Sequence, residues 1–172
     1  MNCKGFQSKN IACLGILFSS MLTAYSQTPS QFNAIRSAYR KSLVNNNAMA
    51  SLETSCKPFT SHPLANAYYG SFFALKCRDS WLPTTKLSLA KKAEEHLNQA
   101  VEKNKTLTEI RFLRFSFEYA TPSILNMKTH LKEDKPFLLQ MAHDSSPIAD
   151  IVKAFVKDCT LFSATEKMAF SE

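Results

Sequence analysis

Glycine and proline are scarce in this sequence, with 3 glycines and 7 prolines among 172 residues. This scarcity excludes collagen-like chains and low-complexity chains rich in both residues. With 45% hydrophobic and 20% charged residues, the chain has enough apolar side chains to bury one ordinary core. The length excludes a large multidomain enzyme, so one globular domain is expected.

Recognisable motifs for catalysis or metal binding are also missing. The 5 cysteines include no C-x-x-C pair, and no nucleophile is flanked by the glycines of a nucleophile elbow. The four histidines have no metal-ligand spacing and are interpreted as surface residues: His62, His96, His130 and His143. We therefore expect no cofactor, no metal and no enzymatic activity. A catalytic site assembled only by the tertiary structure, for example from Cys77 and His96, stays open as an alternative.

Residues 1–26 have the features of a signal peptide. Two lysines precede an apolar run over residues 11–22, and residues 24–26 form the small-x-small pattern that signal peptidase accepts. We predict cleavage before Gln27 and a single helical domain over residues 27–172, exported to a periplasmic or extracellular location. The alternative is a retained anchor, but the apolar run is shorter than the roughly 20 residues that span a bilayer. No later stretch is long enough, so the mature chain is expected to have no membrane span.

The charge of the mature chain is only mildly basic. Two of the 21 Lys and Arg residues lie in the predicted signal peptide, which leaves 19 against 14 acidic residues. These charges are interleaved along helical faces, unlike the clustered basic stripe of a nucleic-acid-binding protein. We therefore expect no nucleic-acid partner.

Cysteine pairing cannot be read from the sequence. Cys56, Cys77 and Cys159 remain after removal of the predicted signal peptide. In an oxidising compartment they allow one disulfide and one free thiol. Burial of the thiols as small hydrophobic side chains is equally open.

Hydrophobic periodicity predicts an all-α fold built from antiparallel helical hairpins. Apolar residues recur at helical spacing over residues 31–46, 48–56, 64–78, 84–104, 107–120, 122–132, 137–142 and 148–159. A strand over residues 113–119, where apolar and polar residues alternate, is the competing interpretation of that segment. Ser163-x-x-Glu166 predicts a last short helix.

Several local features refine this prediction. Thr84 or Thr85 is expected to cap one helix, and Thr106-x-x-Glu109 resembles a capping box for the next. Trp81 is expected to fold back over the core. Gly70 lies in a helix that is apolar on almost every side, so we expect a neighbouring helix to approach it closely.

Two short motifs resemble the tetratricopeptide repeat. Ala93-x3-Leu97-x2-Ala100 is similar to the second-helix signature of that repeat, and Tyr69-Gly70-x2-Phe73 is similar to the first-helix signature. The segment between the motifs is longer than the family's turn, and Lys105 stands where the family has a closing proline. The arrangement also resembles small exported bacterial proteins of uncharacterised role. The resemblance implies a tetratricopeptide-like pair at the centre of a helical stack, whose concave face binds a peptide or protein.

The candidate partner-binding residues are Arg111, Arg114 and Glu118. At helical spacing they form one narrow charged arc on a helix that is otherwise apolar, and Arg114 and Glu118 are i, i+4 partners. One carboxylate neutralises only part of the two guanidinium groups, so one hypothesis is that the arc contacts an acidic group of a partner. The other hypothesis is an internal ion network or a solvated strip.

Aromatic residues are expected in the core, with a ligand groove as the alternative. They are Tyr68, Tyr69, Phe72, Phe73, Phe112, Phe115, Phe117 and Tyr119. Together these features predict an exported, non-enzymatic interaction or scaffold protein that binds a protein or peptide. The alternative is a small exported enzyme or small-molecule binder with a pocket that the sequence does not reveal. A homo-oligomer is also compatible with an incomplete repeat stack, whose open end needs a cover.

Overall fold

The computed structural model describes residues 28–170, which form eight α-helices, three short 3-10 turns and no β-strand. The helices are α1 (Pro29–Val44), α2 (Met49–Cys56), α3 (Pro63–Asp79), α4 (Pro83–Lys103), α5 (Thr108–Ala120), α6 (Leu131–Gln140), α7 (Ala149–Asp158) and α8 (Ala164–Met168). The all-α fold class is confirmed, including the helix over residues 113–119. The predicted signal peptide, residues 1–26, lies outside the described residues.

Proline and short polar side chains fix where several helices begin. Proline occupies the first position of α1, α3 and α4, where its missing N–H costs no hydrogen bond. A capping box of Thr28 and Gln31 starts α1, and His62 Nδ1 accepts a hydrogen bond from the N–H of Leu64 at 3.2 Å at the start of α3. The predicted capping box of Ser163 and Glu166 is confirmed at α8.

Adjacent helices pack in an antiparallel manner, as in the pairs α3 with α4 and α5 with α6. Helix α3 is buried on most sides, and the predicted close approach at Gly70 is confirmed. A Cβ atom added to Gly70 would lie 2.9 Å from Leu97 Cγ and 3.2 Å from the carbonyl oxygen of Ala93. The absence of a side chain at Gly70 therefore sets the spacing of the α3–α4 pair.

The carboxyl ends of α1 and α3 lie together. The ring of Tyr39 meets that of Tyr68 edge to face at 5.2 Å, and the Arg78 guanidinium donates to the carbonyl oxygen of Leu43 at 3.4 Å. Helix α7 packs on α5, with the Phe155 ring 5.5 Å from Phe112. These contacts pack α1 against α3 and α7 against α5.

The segment between α5 and α6 differs from its prediction. The helix predicted over residues 122–132 is wrong, because residues 123–125 make a single 3-10 turn that ends at Asn126, with a left-handed φ of 53°. The helix predicted to begin after Pro136 is also wrong, because α6 begins at Leu131 and contains Pro136. The N–H of Asp134 bonds the carbonyl oxygen of His130, so the first turn of α6 forms before the proline is reached.

Three other local predictions are wrong. Helix α4 begins at Pro83 with Leu82 at its N-cap, so neither predicted threonine caps it. The carboxylate of Glu109 pairs with Arg36 rather than closing a capping box with Thr106. Trp81 is 84% exposed and does not fold over the core.

Two further findings concern thiols and membrane spans. Within residues 28–170 the three cysteines are all free thiols, of which Cys56 and Cys159 are buried and Cys77 is half-buried. No helix in that part of the chain combines the length and apolar character required to cross a membrane.

Candidate functional site

Arg111 and Arg114 lie in a buried ion network between α5 and α6. Asp134 accepts from Arg111 Nη1 at 2.8 Å and from Arg114 Nη2 at 2.7 Å through Oδ1, and from Arg114 Nε at 2.8 Å through Oδ2. Glu133 also pairs with Arg111. Asp134 has no exposed surface, and both arginines are 4% exposed. The two guanidinium groups thus face two carboxylates of the same chain.

The predicted pairing of Arg114 with Glu118 is wrong. Glu118 instead accepts from the backbone N–H of His130 at 2.8 Å, and its Oε1 lies 2.6 Å from His130 Nδ1. His130, which the sequence predicts to be a surface residue, therefore contacts Glu118 and holds the connection between α5 and α6. Helical spacing places Arg114 and Glu118 on one face but cannot anticipate a carboxylate from α6. Contact of this arc with an acidic partner stays a prediction.

The pKa shifts in this network agree with its role in packing. Burial lowers the pKa of Arg111, but the hydrogen bonds that it donates to Glu133 and Asp134 outweigh this effect and raise the pKa above the ordinary value. The hydrogen bond from Arg111 lowers the pKa of Glu133. The charged forms are therefore favoured on both sides of the interface.

A second network ties three helices together. Glu109 of α5 accepts from Arg36 Nε at 2.8 Å and from Arg36 Nη2 at 2.7 Å, a two-pronged ion pair with α1. The hydroxyl of Tyr68 on α3 donates to the same carboxylate. Because Glu109 is 3% exposed, this contact fixes α1, α3 and α5 relative to one another.

A cleft of about 720 Å³ opens between α1, α3, α4, α5 and α7. Its buried wall consists mainly of apolar side chains, including Leu75, Ala90, Phe112, Leu113 and Phe117. Its exposed lining residues include three charged ones, Arg78, Lys86 and Asp158. The cleft is therefore apolar inside and charged at its mouth.

The hydroxyl groups of Ser71, Ser116 and Thr121 add little polarity to the cleft. Each donates to a carbonyl oxygen of its own helix, at 3.1, 3.0 and 2.8 Å respectively. Such bonds within one helix occupy the hydroxyl proton. These three residues therefore present no free donor to a ligand.

Tyr39 differs from these hydroxyl-bearing neighbours. It lines the cleft and is 5% exposed, yet its hydroxyl has no hydrogen-bond partner among residues 28–170. Burial raises the pKa of Tyr39 to about 12, so the phenol keeps its proton. A buried tyrosine hydroxyl normally has a partner, which makes this donor the exceptional group of the cleft.

The charged groups at the mouth have different partners. Arg78 pairs with Asp79 at 2.8 Å and donates to Leu43 and Asn46. Lys86 has no ion-pair partner within the described part of the chain, and neither has Asp158. The cation Lys86 at the mouth, unlike Arg78, is therefore not in contact with any carboxylate of residues 28–170.

Cys77 also lines the cleft, beside Lys86. Its thiol donates to the carbonyl oxygen of Lys86 at 3.3 Å, and burial raises the pKa of the thiol. His96, its suggested catalytic partner, has its ring against Tyr69 and its Nδ1 2.9 Å from Asn66 Oδ1. No hydrogen bond of the described residues joins Cys77 to His96.

Comparisons with protein-family models, with curated proteins and with solved structures find no match for this chain. The tetratricopeptide resemblance therefore stays a prediction. The structure shows packed helices in an all-α fold. Within residues 28–170, no three His, Cys, Asp or Glu side chains are grouped as metal ligands are.

Sequence reasoning missed the cleft because a cleft is a space between helices. The sequence does contain one signal of it, since four helices contribute an alanine to the lining: Ala74, Ala90, Ala120 and Ala154. Alanine fills little of the volume between helices. Alanines on different helices can be recognised as the lining of one cleft only when the packing of those helices is known.

Proposed function

We propose that the protein is an exported, non-enzymatic binding protein whose cleft holds a small apolar molecule. The cleft itself is the observation that carries this proposal. Its volume of about 720 Å³ lies within the roughly 300–1,000 Å³ of small-molecule sites. An apolar wall with a few polar groups is also the usual composition of such sites. The proposal follows the small-molecule alternative of the sequence rather than its first prediction.

The groups in the cleft favour binding over catalysis. Nucleophilic cysteines have a lowered pKa, whereas burial raises the pKa of Cys77. With a pKa of about 12, Tyr39 is a poor general base near neutral pH. Both groups therefore stay protonated, and most of the remaining lining is apolar.

The two buried ion networks support a preformed site. The Glu109 network holds α1, α3 and α5, which all line the cleft, and the Asp134 network holds α5 against α6. A cleft whose walls are fixed loses little conformational entropy when a ligand enters. Such preorganisation favours affinity for a molecule of matching shape.

Binding of 1-decanol, a neutral apolar probe, tests this proposal by calorimetric titration of the full chain. We expect saturable binding of one molecule per chain. Ala74→Phe places a ring in the cleft and should abolish binding, whereas Ala50→Phe, on the exposed face of α2, should not. Absence of saturable binding, or equal binding by both variants, would contradict the proposal.

Export is tested separately by N-terminal sequencing of the protein isolated from its native host. The signal-peptide pattern of residues 1–26 supports a mature chain that starts at Gln27. A chain that retains residues 1–26 in the cell envelope would contradict cleavage and would favour the anchored alternative.

Binding of a protein or peptide is the second candidate function, and the exposed connector between α3 and α4 favours it. Trp81 is 84% exposed and Leu82 is 42% exposed. Tryptophan is enriched among the residues that dominate binding energy at protein interfaces. Cross-linking in the native envelope should capture a specific partner that Trp81→Ser loses and Lys132→Ser keeps. Equal capture by both variants would contradict this candidate.

A further inference from the structure

We propose that the molecule held in the cleft is a carboxylic acid with an aliphatic tail, and that Tyr39 and Lys86 bind its carboxylate. This inference rests on the proposed function and specifies the ligand class of the same site. The geometry of three groups leads to it: a buried donor without a hydrogen-bond partner and a cation without a carboxylate partner, both as judged within residues 28–170, and an apolar wall.

The hydroxyl of Tyr39 requires an acceptor. Tyr39 is 5% exposed and lines the cleft, and none of residues 28–170 accepts a hydrogen bond from it. A buried donor without a partner costs free energy, and a ligand acceptor removes that cost. The ligand atom that meets Tyr39 is therefore an oxygen acceptor rather than a methyl group.

Two of the three charged residues at the mouth are cations, and an anionic acceptor would pair with Lys86. Arg78 pairs with Asp79, whereas Lys86 and the third charged residue, Asp158 on α7, have no ion-pair partner among residues 28–170. Arg78 also donates to the carbonyl oxygen of Leu43, one helical turn beyond Tyr39, so Arg78 and Tyr39 lie at the same end of the cleft. Cys77, next to Arg78 in α3, connects this end of the cleft to α4, because its thiol donates a hydrogen bond to the Lys86 carbonyl oxygen.

The start of α4 adds to the positive potential around Lys86. No side chain caps this helix, and its first turn contains no acidic residue. A lysine near the amino end of a helix is not compensated by the helix dipole, which favours an anion there. This local imbalance supports the assignment made from Tyr39 and Lys86.

The wall beyond the mouth accounts for the aliphatic tail. Leu75, Leu113 and Phe117 offer no polar atom, and the cleft hydroxyls of Ser71 and Thr121 are used within their own helices. A second polar group on the ligand would lose its water in this wall without gaining a partner. One carboxylate on an apolar chain satisfies both parts of the cleft.

Three probes that share one tail and differ in head group test the inference: decanoate, 1-decanol and decyltrimethylammonium. Calorimetric titration of the full chain should give the tightest binding for decanoate and the weakest for the cation. Lys86→Gln should reduce the preference for decanoate over decanol by about two- to fivefold, the range of an exposed ion pair. Lys91→Gln, on the same helix but outside the cleft, should leave the preference unchanged.

Tyr39→Phe removes only the hydroxyl and should reduce the same preference by about tenfold, as expected for a hydrogen bond to a charged group. Circular dichroism of each variant checks that it is folded. Decanoate that binds no more tightly than decanol, or a preference unchanged in both Tyr39→Phe and Lys86→Gln, would overturn the inference and leave the proposed function standing. If none of the three probes binds, both proposals are overturned.

Discussion

Two buried tyrosines have hydroxyl groups in different environments. Tyr68 and Tyr39 pack against each other, but only the hydroxyl of Tyr68 has a partner, Glu109, among the described residues. Burial raises the pKa of both, and the nearby Glu109 carboxylate raises that of Tyr68 further. Substitution of each by phenylalanine therefore removes the same atom from two different environments.

We predict that Tyr68→Phe lowers the free energy of unfolding by about 1–3 kcal/mol, because the buried Glu109 loses a donor. Tyr39→Phe, in contrast, should leave the free energy of unfolding unchanged or raise it by about 1 kcal/mol without ligand, because it removes a buried hydroxyl that has no partner within residues 28–170. Urea unfolding of both variants measures the difference. Equal losses would mean that the hydroxyl of Tyr39 has a partner in the free protein.

The His62 side chain makes stability depend on pH. Its Nδ1 must be unprotonated to accept from Leu64, and burial lowers the pKa of His62 below the unfolded value of about 6.5. The unfolded chain then takes up the proton more readily, so the free energy of unfolding should fall as the pH drops below about 6.5. His62→Asn keeps a capping acceptor that does not titrate, and the fall should become smaller. An unchanged pH dependence in this variant would contradict the capping role.

Helices were predictable from the sequence where one face is continuously apolar. The spacing in α1, α4 and α7 predicts these helices within a few residues of their observed ends. Prediction failed between α5 and α6, where Asn126 adopts a left-handed conformation and α6 continues through Pro136. The buried contacts of Asp134 with Arg111 and Arg114, which are distant in sequence, hold this helix against α5.

Gly70 tests the spacing of the α3–α4 pair. Alanine has a helix propensity about 1 kcal/mol better than glycine, but its Cβ would lie 2.9 Å from Leu97 Cγ. We predict that Gly70→Ala lowers the free energy of unfolding by about 1–2 kcal/mol, since overpacking outweighs propensity. Ser88→Ala on the exposed face of α4 should be neutral or slightly stabilising. Stabilisation by Gly70→Ala would show that the two helices can separate at little cost.

Asp134 and Glu133 are adjacent residues whose contributions should differ. Asp134→Asn leaves two buried guanidinium groups without their main carboxylate and should cost about 3 kcal/mol in unfolding free energy. The side chain of Glu133 is 54% exposed, so Glu133→Gln should cost less than about 1 kcal/mol. Thermal and urea unfolding measure both. Equal costs would contradict the buried network.

Residues 28–170 form a helical frame that contains an apolar cleft between α1, α3, α4, α5 and α7. Sequence analysis recognised Arg111 and Arg114 as unusual, but their partner Asp134 is 20 residues from Arg114 and belongs to another helix. It predicted an apolar helical face over residues 31–46, but not that the Tyr39 hydroxyl in that helix has no hydrogen-bond partner within residues 28–170. Composition and periodicity thus predicted which helices have an apolar face. Only the packing identifies the buried groups that remain available to a ligand.

A methyl NMR titration of the full chain with 1-decanol tests most directly whether the cleft is a binding site. If the cleft is the binding site, methyl resonances of Leu75, Leu113 and Ile151, which line it, should shift and saturate together. Those of Leu52 and Leu138, which are buried outside the cleft, should stay in place. Shifts confined to Leu52 and Leu138, or no saturable shift at any of these five residues, would contradict the account.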